Sequence, residues 1–196
     1  MKKWIAMALS LVLALSLTAC GDEPEQPETP DPQPQEEEPK ETETSQETSQ
    51  ETRDLEYFLE GEPATLPATR YDGDGYTIYI PSEGWLMETG DEDGFPTVEW
   101  EPEVNDDVQL EIVVLAGKTA EEARTWLTEE KDDYDLIEDK RGGLGGTSAE
   151  DGDVLEAALH EGDGAVYLVI TEYPMEAMEG FGVTLSVVTD TFALTA

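Results

Sequence analysis

Hydrophobic and polar positions divide the chain into three parts. After Lys2 and Lys3, residues 4–19 form an almost continuous apolar run, shorter than the roughly 20 residues that a membrane-spanning helix needs. Residues 21–54 contain no aromatic or branched aliphatic residue, and apolar residues return at Leu55. The pattern predicts a signal peptide over residues 1–19, a linker over residues 20–54 and a globular domain over residues 55–196.

Short alternating segments within the globular part indicate β-strands. They lie around residues 76–80, 97–101, 108–115, 154–160 and 165–171, and the last two are expected to form a hairpin. Pro63 and Pro67 exclude a regular helix between residues 61 and 70. The glycine run at residues 142–146 predicts a flexible loop.

Two later segments have helical spacing. Thr119-Ala-Glu-Glu122 fits a capping box and predicts a helix that continues to about Lys131. Pro174 suits the first position of a second helix. The expected fold class is therefore α+β, with an antiparallel β-sheet covered by helices.

The linker has a composition that opposes folding. It is rich in proline, glutamate and threonine, and it offers no apolar surface to offset the entropy of ordering its backbone. Proline favours extended polyproline II, and like charges extend the chain further. We predict a disordered acidic stalk.

The apolar run ends in Leu17-Thr18-Ala19-Cys20, which resembles the lipobox of bacterial lipoproteins. The resemblance implies cleavage before Cys20, acylation of that cysteine with palmitate-type chains and anchoring in a lipid bilayer. The expected location is the extracytoplasmic face of the cell membrane, at a Gram-positive cell surface. Lipidation would also explain a lone cysteine in an exported protein.

Charge excludes several kinds of partner. The chain has 48 acidic against 10 basic residues and a formal net charge of −38 at pH 7. Nucleic-acid binding depends on lysine and arginine contacts to phosphate, so no nucleic-acid surface is expected. Anionic lipid headgroups are disfavoured for the same reason. The negative charge keeps the protein soluble, or alternatively it attracts a basic partner or loosely held cations.

Two segments of the globular part are similar to PsbP-like domains. One is Gly75-Tyr-Thr-Ile-Tyr-Ile-Pro81 with Gly84-Trp85, and the other is the closing Thr191-Phe192-Ala-Leu194. The resemblance implies an α/β/α sandwich around an antiparallel sheet, a non-enzymatic fold that docks onto protein complexes. The layout of the whole chain resembles uncharacterised lipoproteins of Gram-positive anaerobes.

Acidic turns are the only candidates for a metal site. Oxygen-rich turns contain Asp72, Asp74, Asp91, Glu92 and Asp93, and extracellular Ca²⁺ sites use several such ligands. None of these turns matches an EF-hand loop, and aspartate and glycine also favour turns for backbone reasons alone.

The sequence offers little material for catalysis. His160 is the only histidine, and it falls on the same strand face as Glu156, which predicts a solvent-facing position. We predict no catalytic residue and no cofactor.

Three functions remain open at this point. The first, which we expect, is a non-catalytic domain that binds an envelope protein or serves as an envelope accessory. The second is a small-ligand or Ca²⁺ receptor that assists transport. The third, a carboxylate-dependent envelope hydrolase, is disfavoured because it would have to work with carboxylates alone.

Overall fold

Antiparallel strands dominate residues 51–195, the part of the chain that this computed structural model describes. Strands take up 54% of it and helices 18%. Each strand pairs with its neighbours in antiparallel register, and together the strands form two separate sheets. The signal peptide, Cys20 and nearly all of the predicted linker lie outside the described residues.

The small sheet has four strands in the order β1-β2-β3-β11. Its strands are β1 (Thr52–Leu59), β2 (Glu62–Gly73), β3 (Tyr76–Pro81) and β11 (Ala193–Leu194). The predicted strand at residues 76–80 is confirmed as β3, but all six of its residues are buried, whereas its alternation suggested a half-buried strand.

The large sheet has seven strands in the order β4-β5-β6-β10-β9-β8-β7. They are β4 (Trp85–Glu92), β5 (Phe95–Pro102), β6 (Gln109–Ala116), β7 (Ile137–Glu138), β8 (Leu144–Thr147), β9 (Asp153–Glu161) and β10 (Ala165–Pro174). The predicted hairpin of β9 and β10 is confirmed, with Leu168 opposite Leu159.

Two short α-helices complete the domain. Helix α1 (Ala120–Glu130) begins at the predicted capping box, in which Thr119 Oγ1 accepts the Glu122 amide at 3.3 Å and Glu122 Oε2 accepts the Thr119 amide at 2.9 Å. After Pro174 the chain forms a 3₁₀ turn (Met175–Ala177), a π-helical turn (Met178–Gly182) and then helix α2 (Val183–Thr189).

Apolar side chains form a core on each face of the large sheet. One core lies between that sheet, the small sheet and α2, and it includes Ile78, Ile112 and Val188. The other lies under α1 and includes Leu127 and Leu168. Strands β6 and β10 contribute to both cores and are therefore covered on both sides.

The expected helix-covered α/β/α sandwich is wrong. Helices are few, and a second β-sheet supplies cover for which helices were expected. Strand β2 was hidden by Pro63 and Pro67, which cannot donate a backbone hydrogen bond. Both prolines lie in the half of β2 that pairs only with β1, where a missing donor is tolerated.

The glycine run is also not the predicted loop. Its second half belongs to β8, which pairs with both β7 and β9. A Cβ at Gly146 would lie 2.4 Å from the carbonyl oxygen of Asp135, and one at Gly143 would lie 2.7 Å from that of Ala157. The glycines therefore permit close approach of backbones rather than flexibility.

An acidic side chain is buried under α1. Glu111 is 7% exposed and stands directly opposite Glu99 on β5. Burial raises the pKa of Glu111 to about 7, repulsion from Glu92 adds to the shift, and Lys131 opposes it. The nearby ammonium of Lys131 is already paired with Glu172, at 3.2 Å.

We expect Glu111 to make stability depend on pH. Its pKa in the folded state lies above the ordinary value of 4.5, so its contribution is fully present below about pH 4.5 and is lost as the pH rises through about 7. Glu111→Gln should be close to wild type at pH 5 and more stable than wild type at pH 8, by about 1–3 kcal/mol. Urea unfolding at both pH values measures this difference.

The exposed Glu161→Gln variant is the control, since it removes one carboxylate at the rim of β9. It should show no comparable change between the two pH values. A Glu111→Gln variant with the same stability relative to wild type at pH 5 and pH 8 would contradict the assignment.

Candidate functional site

A groove of about 610 Å³ runs along β7, β8 and β9 beside α2. Side chains alternate along β9, so Glu156, Ala158 and His160 share one face of the strand. Leu155 and Ala157 belong to the core under α1 instead. The groove has β9 at its centre, β7 and β8 on one side, and α2 with Phe192 on the other.

His160 is half-buried in this groove by an aromatic contact. Its ring centroid lies 4.4 Å from that of Phe192, and burial lowers the pKa of His160, so the imidazole is neutral at pH 7. His160 does share a strand face with Glu156, but it is not turned fully to solvent as the sequence suggested.

Phe192 connects the groove to the central core. Its ring stacks on Tyr76 with centroids 5.4 Å apart and tilts against Tyr167 at 6.1 Å. Because both tyrosines are buried, Phe192 has a fixed position. The wall that covers His160 is therefore part of the packed interior.

Carboxylates outnumber cations along the groove. Its lining includes the acids Glu138, Asp139, Glu156 and Asp190 and a single guanidinium, that of Arg141. His160 adds no charge at pH 7. The groove therefore has a net negative charge.

The four acids differ in how far they are already engaged. Asp139 Oδ1 accepts the amides of Arg141 at 2.6 Å and of Gly143 at 3.0 Å, which holds the turn between β7 and β8. Glu138 Oε1 lies 3.8 Å from Nη2 of Arg124.

Glu156 and Asp190 are the acids most available to a ligand. Glu156 Oε2 accepts the hydroxyl of Tyr173 at 3.4 Å, and burial together with Glu156 raises the pKa of Tyr173 to about 12, so this hydroxyl remains a donor. Asp190 follows α2 and is exposed. Among the ion pairs formed within residues 51–195, neither carboxylate has a cationic partner.

The groove has the chemistry of a binding surface. Within the described part of the chain, the His160 imidazole forms no hydrogen bond to a hydroxyl or a carboxylate. What the groove presents is an aromatic and aliphatic floor with an acidic rim, an arrangement that fits recognition of a cationic, partly apolar group.

The acids proposed as metal ligands lie in two hairpin turns or are engaged elsewhere. Asp72 pairs with Arg70 at 2.8 Å, and Asp91 Oδ1 accepts the Gly94 amide at 2.9 Å. Asp93 lies in that same turn, with φ 52°. Burial raises the pKa of Glu92, and repulsion from Glu130 raises it further. Asp74 lies in the turn between β2 and β3. Between residues 51 and 195, no three His, Cys, Asp or Glu side chains are grouped to hold a metal ion.

The predicted lipidation site lies outside the described residues. Leu17, Thr18, Ala19 and Cys20 belong to that part, so acylation stays a prediction. Across residues 51–195, no helix is long and apolar enough to cross a membrane.

Sequence reasoning missed the residues that shape the groove. It placed neither Phe192 against His160 nor Asp190 near Glu156, because these pairs are separated by about thirty residues of chain that include β10 and α2. Their proximity follows only from the return of the chain past β9. The one available signal was the shared face of Glu156 and His160.

Comparison with known proteins finds similarity to solved structures but not to families or curated sequences. No protein-family profile matches the chain, and no curated protein matches it. The chain is similar to the solution structure of cyanobacterial PsbP (CyanoP) from Synechocystis, with 14% sequence identity and a TM-score of 0.43. The match covers 65% of this chain and 92% of that one. We transfer no residue, ligand or partner from it.

We expect calcium to bind no specific site in this domain. Because no group of three acidic, histidine or cysteine ligands converges within residues 51–195, millimolar Ca²⁺ should raise the melting temperature no more than Mg²⁺ does at the same ionic strength. The Mg²⁺ sample measures the effect of screening the negative charge alone. A site specific for Ca²⁺ would stabilise the fold by mass action. A saturable rise in melting temperature with Ca²⁺ alone, lost in Asp91→Asn, would contradict this expectation.

Proposed function

We propose that this chain is a lipoprotein held at the extracytoplasmic face of the cell membrane through Cys20, with a domain that binds an envelope protein without catalysis. Two features support the proposal. The lipobox-like Leu17-Thr18-Ala19-Cys20 supports the anchor. The groove along β9, with its acidic rim, supports binding.

Acylation of Cys20 would make attachment stable. One acyl chain gives only marginal, reversible membrane binding, whereas two chains hold a protein firmly. The chain contains no second cysteine, so the thiol has no intramolecular disulfide partner. A lipid thioether is the modification that the surrounding small and aliphatic residues favour.

The linker then sets the distance between membrane and groove. An extended polyproline II conformation rises by about 3.1 Å per residue, so the linker residues before β1, 21–51, could span on the order of 100 Å. Their negative charge opposes collapse onto anionic lipid headgroups. A domain on such a stalk could reach partners well above the membrane surface.

The groove is the single observation that carries the binding role. Within residues 51–195, its rim acids Glu156 and Asp190 have no cationic partner. The ring of Phe192 that covers His160 is held in place by Tyr76. Because this concave surface is already ordered, binding a ligand there loses little conformational entropy. Envelope-accessory and receptor roles would both use such a surface.

The anchor can be tested on the only cysteine of the chain. In cells fed alkyne-labelled palmitate, the wild-type protein should incorporate the label and partition with membranes, and Cys20→Ala should do neither. The mature wild-type protein should also fail to react with a maleimide, because its sulfur is already bonded. Ser16→Ala, just outside the four-residue motif, should behave as wild type.

A maleimide-reactive wild-type protein without fatty acid would overturn the anchor. The same result would not bear on the groove, whose lining residues all lie between 137 and 192.

The binding role can be tested by placing a photo-crosslinking amino acid at Ala158 on the groove floor. Irradiated cells should give one discrete adduct with an envelope protein. The same amino acid at Thr65, exposed on β2, should give none. Equal adducts at both positions, or no adduct at Ala158, would contradict a role for the groove.

A further inference from the structure

We propose that the groove along β7, β8 and β9 takes an extended segment of the partner that is rich in lysine or arginine. This inference rests on the proposed binding function and names the chemistry of the partner at the same site. It is argued from the charge of the rim, the end of α2, the apolar floor and the free edge of the large sheet.

The rim has more negative charge than its neighbours neutralise. Of its four acids, only Glu138 has a cation within 4 Å, the guanidinium of Arg124 at 3.8 Å. Asp139 is held by backbone amides, whereas Glu156 and Asp190 are exposed and have no cationic partner within residues 51–195. A cationic ligand would supply the charge that the rim lacks.

The end of α2 adds to this negative potential. Ser186, Thr189 and Asp190 line the groove from the last turn and C-cap of that helix. The carbonyl groups at a helix C-terminus bear partial negative charge, which a cation stabilises. The last turn of α2 contains no basic residue. Its carbonyls at Ser186, Val188 and Thr189 accept hydrogen bonds from the residues that follow, so the helix end contributes only its partial charge to the rim.

The floor suits the long stems of basic side chains. His160 is neutral at pH 7, the anchored ring of Phe192 lies against it, and Ile137 is 68% exposed on β7. Lysine and arginine bury their methylene stems on apolar surface while their charged ends stay near acids. An aromatic and aliphatic floor beneath an acidic rim provides both parts.

The sheet edge favours an extended ligand over a compact one. Strand β7 is the last strand of the large sheet and pairs only with β8. An extended segment can align along such an edge and place alternate side chains into the neighbouring groove. The groove volume of about 610 Å³ accommodates a few side chains rather than a folded domain.

The same charges exclude other occupants. The chain's own linker is acidic throughout, so it would be repelled from the rim, and a second copy of this acidic domain would be repelled likewise. Nucleic acid and anionic headgroups are excluded for the same reason. A basic segment is the occupant that fits.

His160 provides a local probe, since it is the only histidine of the chain. The experiment follows its imidazole NMR signals in the full-length mature protein while a capped peptide of alternating lysine and glycine is added. A cation bound in the groove should shift these signals saturably and lower the pKa of His160 further, because nearby positive charge disfavours the imidazolium. A glutamate-glycine peptide should do neither.

Matched charge variants separate the groove from the general acidity of the protein. Glu156→Gln with Asp190→Asn removes two charges from the rim. Glu88→Gln with Asp106→Asn removes two exposed charges elsewhere. The first pair should weaken lysine-peptide binding about threefold to tenfold, which corresponds to two exposed ion pairs, and the second pair should change it less than twofold.

Equal weakening in both variants, or a His160 signal that does not respond, would overturn the inference. If the Ala158 adduct still forms while the lysine peptide leaves His160 unchanged, the groove binds a partner of another chemistry and only this inference fails. If neither the adduct nor the shift appears, the proposed binding function fails with it.

Discussion

Burial of β6 and β10 on both faces is the constraint on which the structure depends. These neighbouring strands give Ile112 and Val169 to the core shared with the small sheet, and Val113 and Leu168 to the core under α1. A strand pair without a solvated face needs cover on two sides. The small sheet and α2 supply it on one side, and α1 on the other. The groove lies farther along the same sheet, beside β9.

Local patterns predicted five of the eleven strands in residues 51–195 and the start of α1, but not how the strands assemble. The alternating segment at residues 108–115 corresponds to β6, and the capping box at Thr119 marked the start of α1 correctly. Pairing partners could not be read in this way, because β11 joins β3 across more than a hundred residues. The small sheet was missed since its β2 contains two prolines, which are ordinarily signals against strands.

The site was less accessible to sequence reasoning than the fold. Acidic residues are so frequent that the pair of Glu156 and Asp190 carries no signal in the sequence, and aspartate in a hairpin turn has the same sequence pattern as a metal ligand. The structure distinguishes the two kinds of aspartate by their contacts. Asp91 accepts an amide of its own turn, whereas Asp190 lines the groove. In so acidic a chain, a candidate binding site is distinguished by carboxylates that neither form an ion pair nor cap a turn.

The glycines of β8 have a consequence for how this surface can change. Gly143, directly before β8, and Gly146, within it, allow this part of the chain to lie against neighbouring backbone at distances that no side chain tolerates, so this side of the groove has a fixed shape. The rim acids Glu156 and Asp190 are exposed and take no part in that packing. Evolution or a protein engineer could therefore exchange the rim charges to select a different ligand while the outline of the surface stays constant. Altering the outline itself would require rebuilding the strand.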